Sequence, residues 1–165
     1  MAKRIDPKLL PAIVGTFYPP PYDKPCRARA RRALGDAAGL TQFGVNLQRL
    51  APGVWSSQRH WHTQEDEFVY VLEGEVVLVT DAGEEVLKAG DCAGFKAGDT
   101  DGHHIQNRSD SDAVLLEVGT RSQDDSCTYP GIDLLAPAQA QPAIYTHSDG
   151  TPYENLRRRG PDDED

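Results

Sequence analysis

What most limits the fold available to this chain is a hydrophobic period of two. In TQFGVNLQRL, residues 41–50, Phe43, Val45 and Leu47 alternate with polar neighbours. That is the spacing of a half-buried strand, because successive side chains on a strand point to opposite faces. APG at 51–53 punctuates the run, and WSSQRHWH resumes it as an extended segment. EFVYVLEGEVVLVT is β-branched and aromatic around a glycine-containing turn, and DAGEE at 81–85 reads as the hairpin connection to VLKAG. CAGFKAGDTDG then leads into HHIQNRSD and the apolar run AVLLEVG at 113–119. No helical period longer than two turns survives between residues 41 and 119. Many short strands joined by glycine-rich turns imply an all-β sandwich or barrel, with a jelly roll as the leading architecture.

The flanks are less regular. Pro7, Pro11, Pro19, Pro20, Pro21 and Pro25 make the first 25 residues an extended arm or an edge strand rather than a helix. Arg27, Arg29, Arg31 and Arg32 then crowd together. Such a cluster could meet an anionic partner, although a solvated face or surface ion pairs is the commoner role. Beyond residue 119 turn chemistry dominates, with IDLL and AIY as short pieces that could add edge strands, and LRRRGPDDED as a disordered or surface tail. A length of 165 residues suits one domain: an arm over 1–40, a barrel core over 41–119 and an extension over 120–165.

Charge and cysteine usage narrow the partners. Lys and Arg number 17 against 26 Asp and Glu, a net charge of −9, which argues against nucleic acid. No apolar stretch is long enough for a membrane span or a secretion signal, so no membrane partner and a cytoplasmic setting are expected. Cys26, Cys92 and Cys127 are odd in number and lack CxxC spacing, which excludes a zinc ribbon or disulfide framework as the organising device. Cys92 is expected to face the barrel interior as a small apolar residue.

Chemistry concentrates in GVWSSQRHWHTQEDEFVYVLEG, residues 53–74. On a strand His60 and His62 share a face, and a tight turn through TQED can bring Glu67 back beside them. Gln58 shares that face and is a candidate substrate-binding residue. A first-row metal wants three or four such ligands converging from rigid elements. GHHIQN at 102–107 offers His103 and His104, of which alternation lets only one point inward. Trp55 and Trp61 flank the ligand strand and suit packing, while His147 sits in a turn-rich stretch that suits the surface.

The two stretches resemble the two motifs of the cupin superfamily. Gly53, the His60 and His62 pair, Glu67 and Gly74 match the first; Gly90, Gly98, His103 and Asn107 match the second. Lys96 stands where cupins usually carry proline, and two extra residues lie between Gly98 and His103; neither change removes a ligand. The resemblance selects His103 over His104. It implies a double-stranded β-helix, or jelly-roll, cupin barrel with an irregular N-terminal arm and a C-terminal extension. It also implies one divalent transition metal (Fe, Mn, Ni, Co or Zn) held by His60, His62, Glu67 and His103. The flanks are similar to those of small single-domain cupins, some labelled sugar phosphate isomerase-like, which commonly form homodimers. Three imidazoles and a carboxylate leave a divalent ion near a net charge of plus one, which favours an anionic or enolisable ligand. The expected function is a metal-dependent enzyme on a small polar or anionic metabolite, isomerase-like on a sugar or keto acid. An iron-dependent dioxygenase and a non-catalytic small-molecule binder are the alternatives.

Overall fold

The computed structural model describes residues 4–138 and 145–164. Its strands, in chain order, are β1 (Ile13–Val14), β2 (Ala30–Ala33), β3 (Phe43–Leu50), β4 (Trp61–His62), β5 (Glu67–Glu73), β6 (Glu75–Thr80), β7 (Gly83–Lys88), β8 (Cys92–Phe95), β9 (His104–Gln106), β10 (Ala113–Thr120), β11 (Cys127–Thr128) and β12 (Leu135–Ala136). One short helix, α1 (Leu34–Ala38), joins β2 to β3. Six strands form a sheet in the order β1-β2-β3-β10-β5-β8, and two three-stranded sheets run β7-β6-β9 and β12-β11-β4. The all-β expectation is met, and the alternation in 41–50 is the observed β3. No described helix is long and apolar enough to cross a membrane.

Alternation explains where the core sits. Leu50, Ala113, Leu115, Val69 and Val71 from the large sheet pack against Val76, Leu78, Leu87 and Ile105 from the β7-β6-β9 sheet. The antiparallel register sets Leu115 beside Gln48 and Val71, and Glu117 beside Asn46 and Val69. The inner face of this sheet therefore runs from apolar at the Leu50 end to polar at the Glu67 end. The same register places Cys92 opposite Tyr70. Since Ala93 and Phe95 take the inward phase, Cys92 lies on the outer face and is exposed, which corrects the expectation that it lines the interior.

The flanks are structured by each other. β1 pairs with β2, and β2 with β3, so the arm does supply edge strands, with short 3-10 turns at Pro7–Leu9 and Lys24–Cys26. Tyr18 and Cys26 from the arm meet Cys127, Tyr129, Leu134 and Tyr145 from the extension in a second buried cluster. The Tyr18 ring lies 5.7 Å from Tyr129 and 5.3 Å from Tyr145. The C-terminal tail, expected as a disordered or surface segment, is tied down where Thr16 and Arg159 exchange backbone hydrogen bonds of 3.0 and 2.8 Å. IDLL contributes to β12, whereas Ala143 and Ile144 of AIY lie outside the described residues.

Asn107 is a strut of the barrel. It is fully buried; its Nδ2 donates to the carbonyls of Leu50 (2.8 Å) and Ser111 (2.7 Å), and its Oδ1 accepts from the Ser109 amide (3.0 Å). Asn107→Ala strands the buried Leu50 carbonyl and removes the partners of the Ser111 carbonyl and the Ser109 amide, and is expected to destabilise the fold by about 2–4 kcal/mol, measured by urea denaturation.

Candidate metal centre

The site is built where three elements end together. His60 and His103 are cross-strand partners: the His60 amide donates to the His103 carbonyl (3.0 Å) and the His103 amide to the His60 carbonyl (2.8 Å). His62 follows on β4, and Glu67 opens β5. The result is convergence on one atom. The Nε2 atoms of His103, His60 and His62 lie 3.0, 3.5 and 3.5 Å from Glu67 Oε2. All four sequence-selected ligands are thus brought together at one end of the barrel. His103 is clamped by Phe95, whose ring is parallel to it with centroids 3.5 Å apart.

The outer nitrogens are also spoken for. His60 Nδ1 lies 2.8 Å from the Gln58 carbonyl, and His62 Nδ1 lies 2.6 Å from Asp125 Oδ2. A hydrogen bond at Nδ1 leaves the Nε2 lone pair free to point inward, which is the arrangement that ligating histidines need. Asp125 is itself held by the Gln64 amide at 2.8 Å. Two other groupings exist among the described residues, His60 with His62 and Cys127, and His62 with Glu65 and Asp125. They suit a cation less well. Burial pushes the Cys127 thiol up, away from the thiolate a metal requires, and Asp125 already engages His62.

Electrostatics follow from the same geometry. Burial alone would raise Glu67, but hydrogen bonds from His103 and His60 outweigh it and hold this carboxyl well below the usual range. Burial opposes charge on His60, yet the Glu67 hydrogen bond and charge draw its pKa up. Burial and the neighbouring His60 charge leave His103 lowered. The cluster is a preformed acceptor: one buried carboxylate with three imidazoles around it, a donor set that fits a divalent transition ion.

His104 stands outside the Glu67 cluster, although it borders the cavity into which that cluster opens. Its Nδ1 lies 3.1 Å from the Ser57 carbonyl and its Nε2 2.9 Å from Gln106 Nε2, with the Trp55 indole packed edge-on at 4.7 Å. Burial pushes its pKa down to about 4. Gln58 is placed differently from the expectation. Residues 56–59 form bends rather than a strand, so alternation fails there, and the Gln58 carboxamide donates to the Tyr22 carbonyl at 2.6 Å. It is absent from the residues lining the cavity. Trp61 lines an adjoining hollow, and His147 pairs with Asp133 at the surface, 2.6 Å away.

The ligands open into a cavity of about 350 Å³. Its wall includes Glu65 and Glu117, which the sequence reading missed. Burial raises both carboxyls; Glu65 does so despite accepting from the Ser122 amide at 2.7 Å. Glu117 had a signal, an acidic residue in phase with Ala113 and Leu115 inside an apolar strand. Asp125, from a turn-rich stretch 63 residues beyond His62, had none.

His103→Ala is expected to abolish metal retention and His104→Ala to leave it intact, read by elemental analysis. Asp125→Asn should weaken metal affinity about 10- to 100-fold, measured by competition with a chromophoric chelator.

Comparison with known proteins agrees with this geometry. The family model described as Cupin domain matches residues 46–119. A sugar phosphate isomerase of the cupin superfamily from Silicibacter pomeroyi is 42% identical, with a TM-score of 0.87 over 93% of this chain and 98% of its own. A putative sugar phosphate isomerase from Acidithiobacillus ferrooxidans is 29% identical, with a TM-score of 0.64 over 79% and 80% of the two chains. A polyketide cyclase from Streptomyces resistomycificus shares the fold at 23% identity and a TM-score of 0.59, over 73% of this chain and 80% of its own. No curated protein matches. The paired histidine motifs, the barrel and the full-length similarity together place this chain in the cupin superfamily.

Proposed function

We propose that this cupin is a metal-dependent enzyme that moves a proton on a small polar or anionic metabolite, isomerase-like on a sugar or keto acid. The observation that carries the reading is the convergence of His60, His62 and His103 Nε2 on Glu67 Oε2 within a cavity of about 350 Å³. Its similarity over nearly the whole chain to the Silicibacter pomeroyi sugar phosphate isomerase supports the substrate class. His60, His62, Glu67 and His103 would hold one divalent transition ion, Fe, Mn, Ni, Co or Zn. Such an ion, when bound, polarises a carbonyl or hydroxyl and so acidifies the adjacent C–H.

The chain supplies the rest. An isomerisation needs a group that takes a proton from one carbon and returns it to the next, and a carboxyl with a pKa raised toward neutrality suits that task. Glu117 faces the cavity from β10 with its carboxyl raised by burial. Buried in the same wall, Tyr18 and Tyr145 have hydroxyls raised by burial, which keeps them neutral donors. Protein purified without added metal should carry about one transition ion per chain. With that ion retained, Glu117→Gln should lower kcat about 10²- to 10⁴-fold, followed as deuterium incorporation from D₂O into a panel of sugar phosphates and keto acids. Oxygen consumption by the iron-loaded protein would favour a dioxygenase instead, and binding without exchange a non-catalytic binder.

The homodimer is proposed through the outer face of the large sheet. Phe68, Tyr70 and Leu72 are 41%, 37% and 41% exposed, and Val45 and Val118 extend the row from Phe68 while Leu47 and Leu116 extend that from Tyr70. An apolar sheet face of this kind is suited to a second copy. Tyr70→Glu is expected to convert the dimer to monomer in size-exclusion chromatography with light scattering, with metal content unchanged.

A further inference from the structure

The arginine cluster of the arm is not a solvated face. Arg32 and Ala30 take the outward phase of β2, so Arg31 points inward, and the register sets it beside Gln48 of β3. Both line the same cavity as the metal ligands, together with Arg29. The donors of Arg29 reach only neutral acceptors: the Gly15 carbonyl at 3.3 Å, the Ser56 carbonyl and Thr16 Oγ1 at 3.2 Å. Arg31 has no hydrogen bond or ion pair with any described residue. Glu117 of the same wall forms no ion pair with either guanidinium, although their charges favour its ionised form against burial. Three guanidiniums, of Arg29, Arg31 and Arg121, and three carboxyls, of Glu65, Glu67 and Glu117, line the cavity; Arg121 is paired with Asp36 and Glu67 with the histidines, and burial disfavours charge on Glu65 and Glu117.

Gln48 is the independent sign of a ligand. It is 1% exposed, and its carboxamide makes no hydrogen bond with a described residue, with Oε1 fully buried. A buried amide without a partner costs about 1–3 kcal/mol, so such groups survive where something else completes them. Here the unpartnered amide and the unpaired Arg31 are cross-strand partners level with Leu115, and both line the cavity together with Arg29. Guanidinium beside an amide is the chemistry that recognises a phosphate or carboxylate oxygen set.

We infer that Arg31, with Arg29 and Gln48, forms an anion subsite that holds the phosphate or carboxylate of the substrate while its carbonyl or hydroxyl end faces the histidine cluster. This deepens the proposed function by naming a terminally anionic substrate class, and its own chemistry needs no metal.

Titrating the chelator-treated full chain separately with inorganic phosphate and with acetate tests the subsite apart from the metal. Isothermal calorimetry is expected to detect one of the two, and which one distinguishes a phosphate from a carboxylate substrate. Arg31→Met should weaken that binding at least about tenfold, while Arg49→Ala, whose exposed ion pair with Asp112 lies on the outer face, should not. If Arg31→Met fails to fold, wild-type crystals soaked in tungstate should place the anion against Arg31 by anomalous scattering. Absence of binding by both probes, or of tungstate at Arg31, overturns the inference. Phosphate binding that vanishes on chelation yet survives Arg31→Met also overturns it, because the anion would then sit on the metal and only the metal reading would stand. Arg31-dependent binding in a protein that carries no transition ion even before chelation upholds the subsite and removes the metal reading.

Discussion

One carboxylate oxygen organises this end of the barrel. Glu67 Oε2 sits within 3.5 Å of three imidazole nitrogens that come from β4, from the bridge beside it and from the residue preceding β9. Burying four ionisable groups together is unfavourable unless their charges and hydrogen bonds balance. The balance shows in the direction of each shift: Glu67 is held down by its histidine partners and His60 is drawn up by Glu67. A divalent cation would answer the same demand, which is why the cluster reads as a ligand set and not as packing.

Around that atom the large sheet works as a gradient. The same alternation that buries Leu50, Leu115 and Val71 at one end, with Gln48 in the row of Leu115, presents Asn46, Glu117 and Glu67 toward the other. Gly44 and Gly119 face one another in the row that holds Glu67 and contribute no side chain there, and the Arg121 guanidinium lies against Gly44. A cavity is thus left open by the inner face itself, and the strands around it are fixed by the apolar half of the same strands. Preorganisation of the polar end rests on burial at the apolar end.

How much was legible can be followed residue by residue. The convergence of the four candidate ligands was, because His60, His62 and Glu67 are close in sequence and His103 carries a motif with Asn107. Asn107 proved to be a structural strut, its amide saturated by Leu50 and Ser111. Gln58 was misplaced because strand alternation was extended through residues 56–59, where the chain bends and carries the side chain to Tyr22. Cys92 was misplaced by phase: its pairing with Tyr70 puts it outside. Asp125 was out of reach for another reason, since it acts on His62 from a different part of the chain; for Arg31 the cluster was legible but its inward phase was not.

By itself the sequence determined the strand period, the all-β class, the four side chains that converge and the family, because these depend on local alternation and on short fixed spacings. Tertiary structure decided what surrounds the ligands. Only folding brings the arm and the extension together over the open end of the barrel, joins Tyr18 to Tyr129 and Tyr145, seats Asp125 behind His62 and turns Arg31 toward Gln48. These are contacts between segments far apart in sequence, set by strand register and buried area, and no local pattern encodes them.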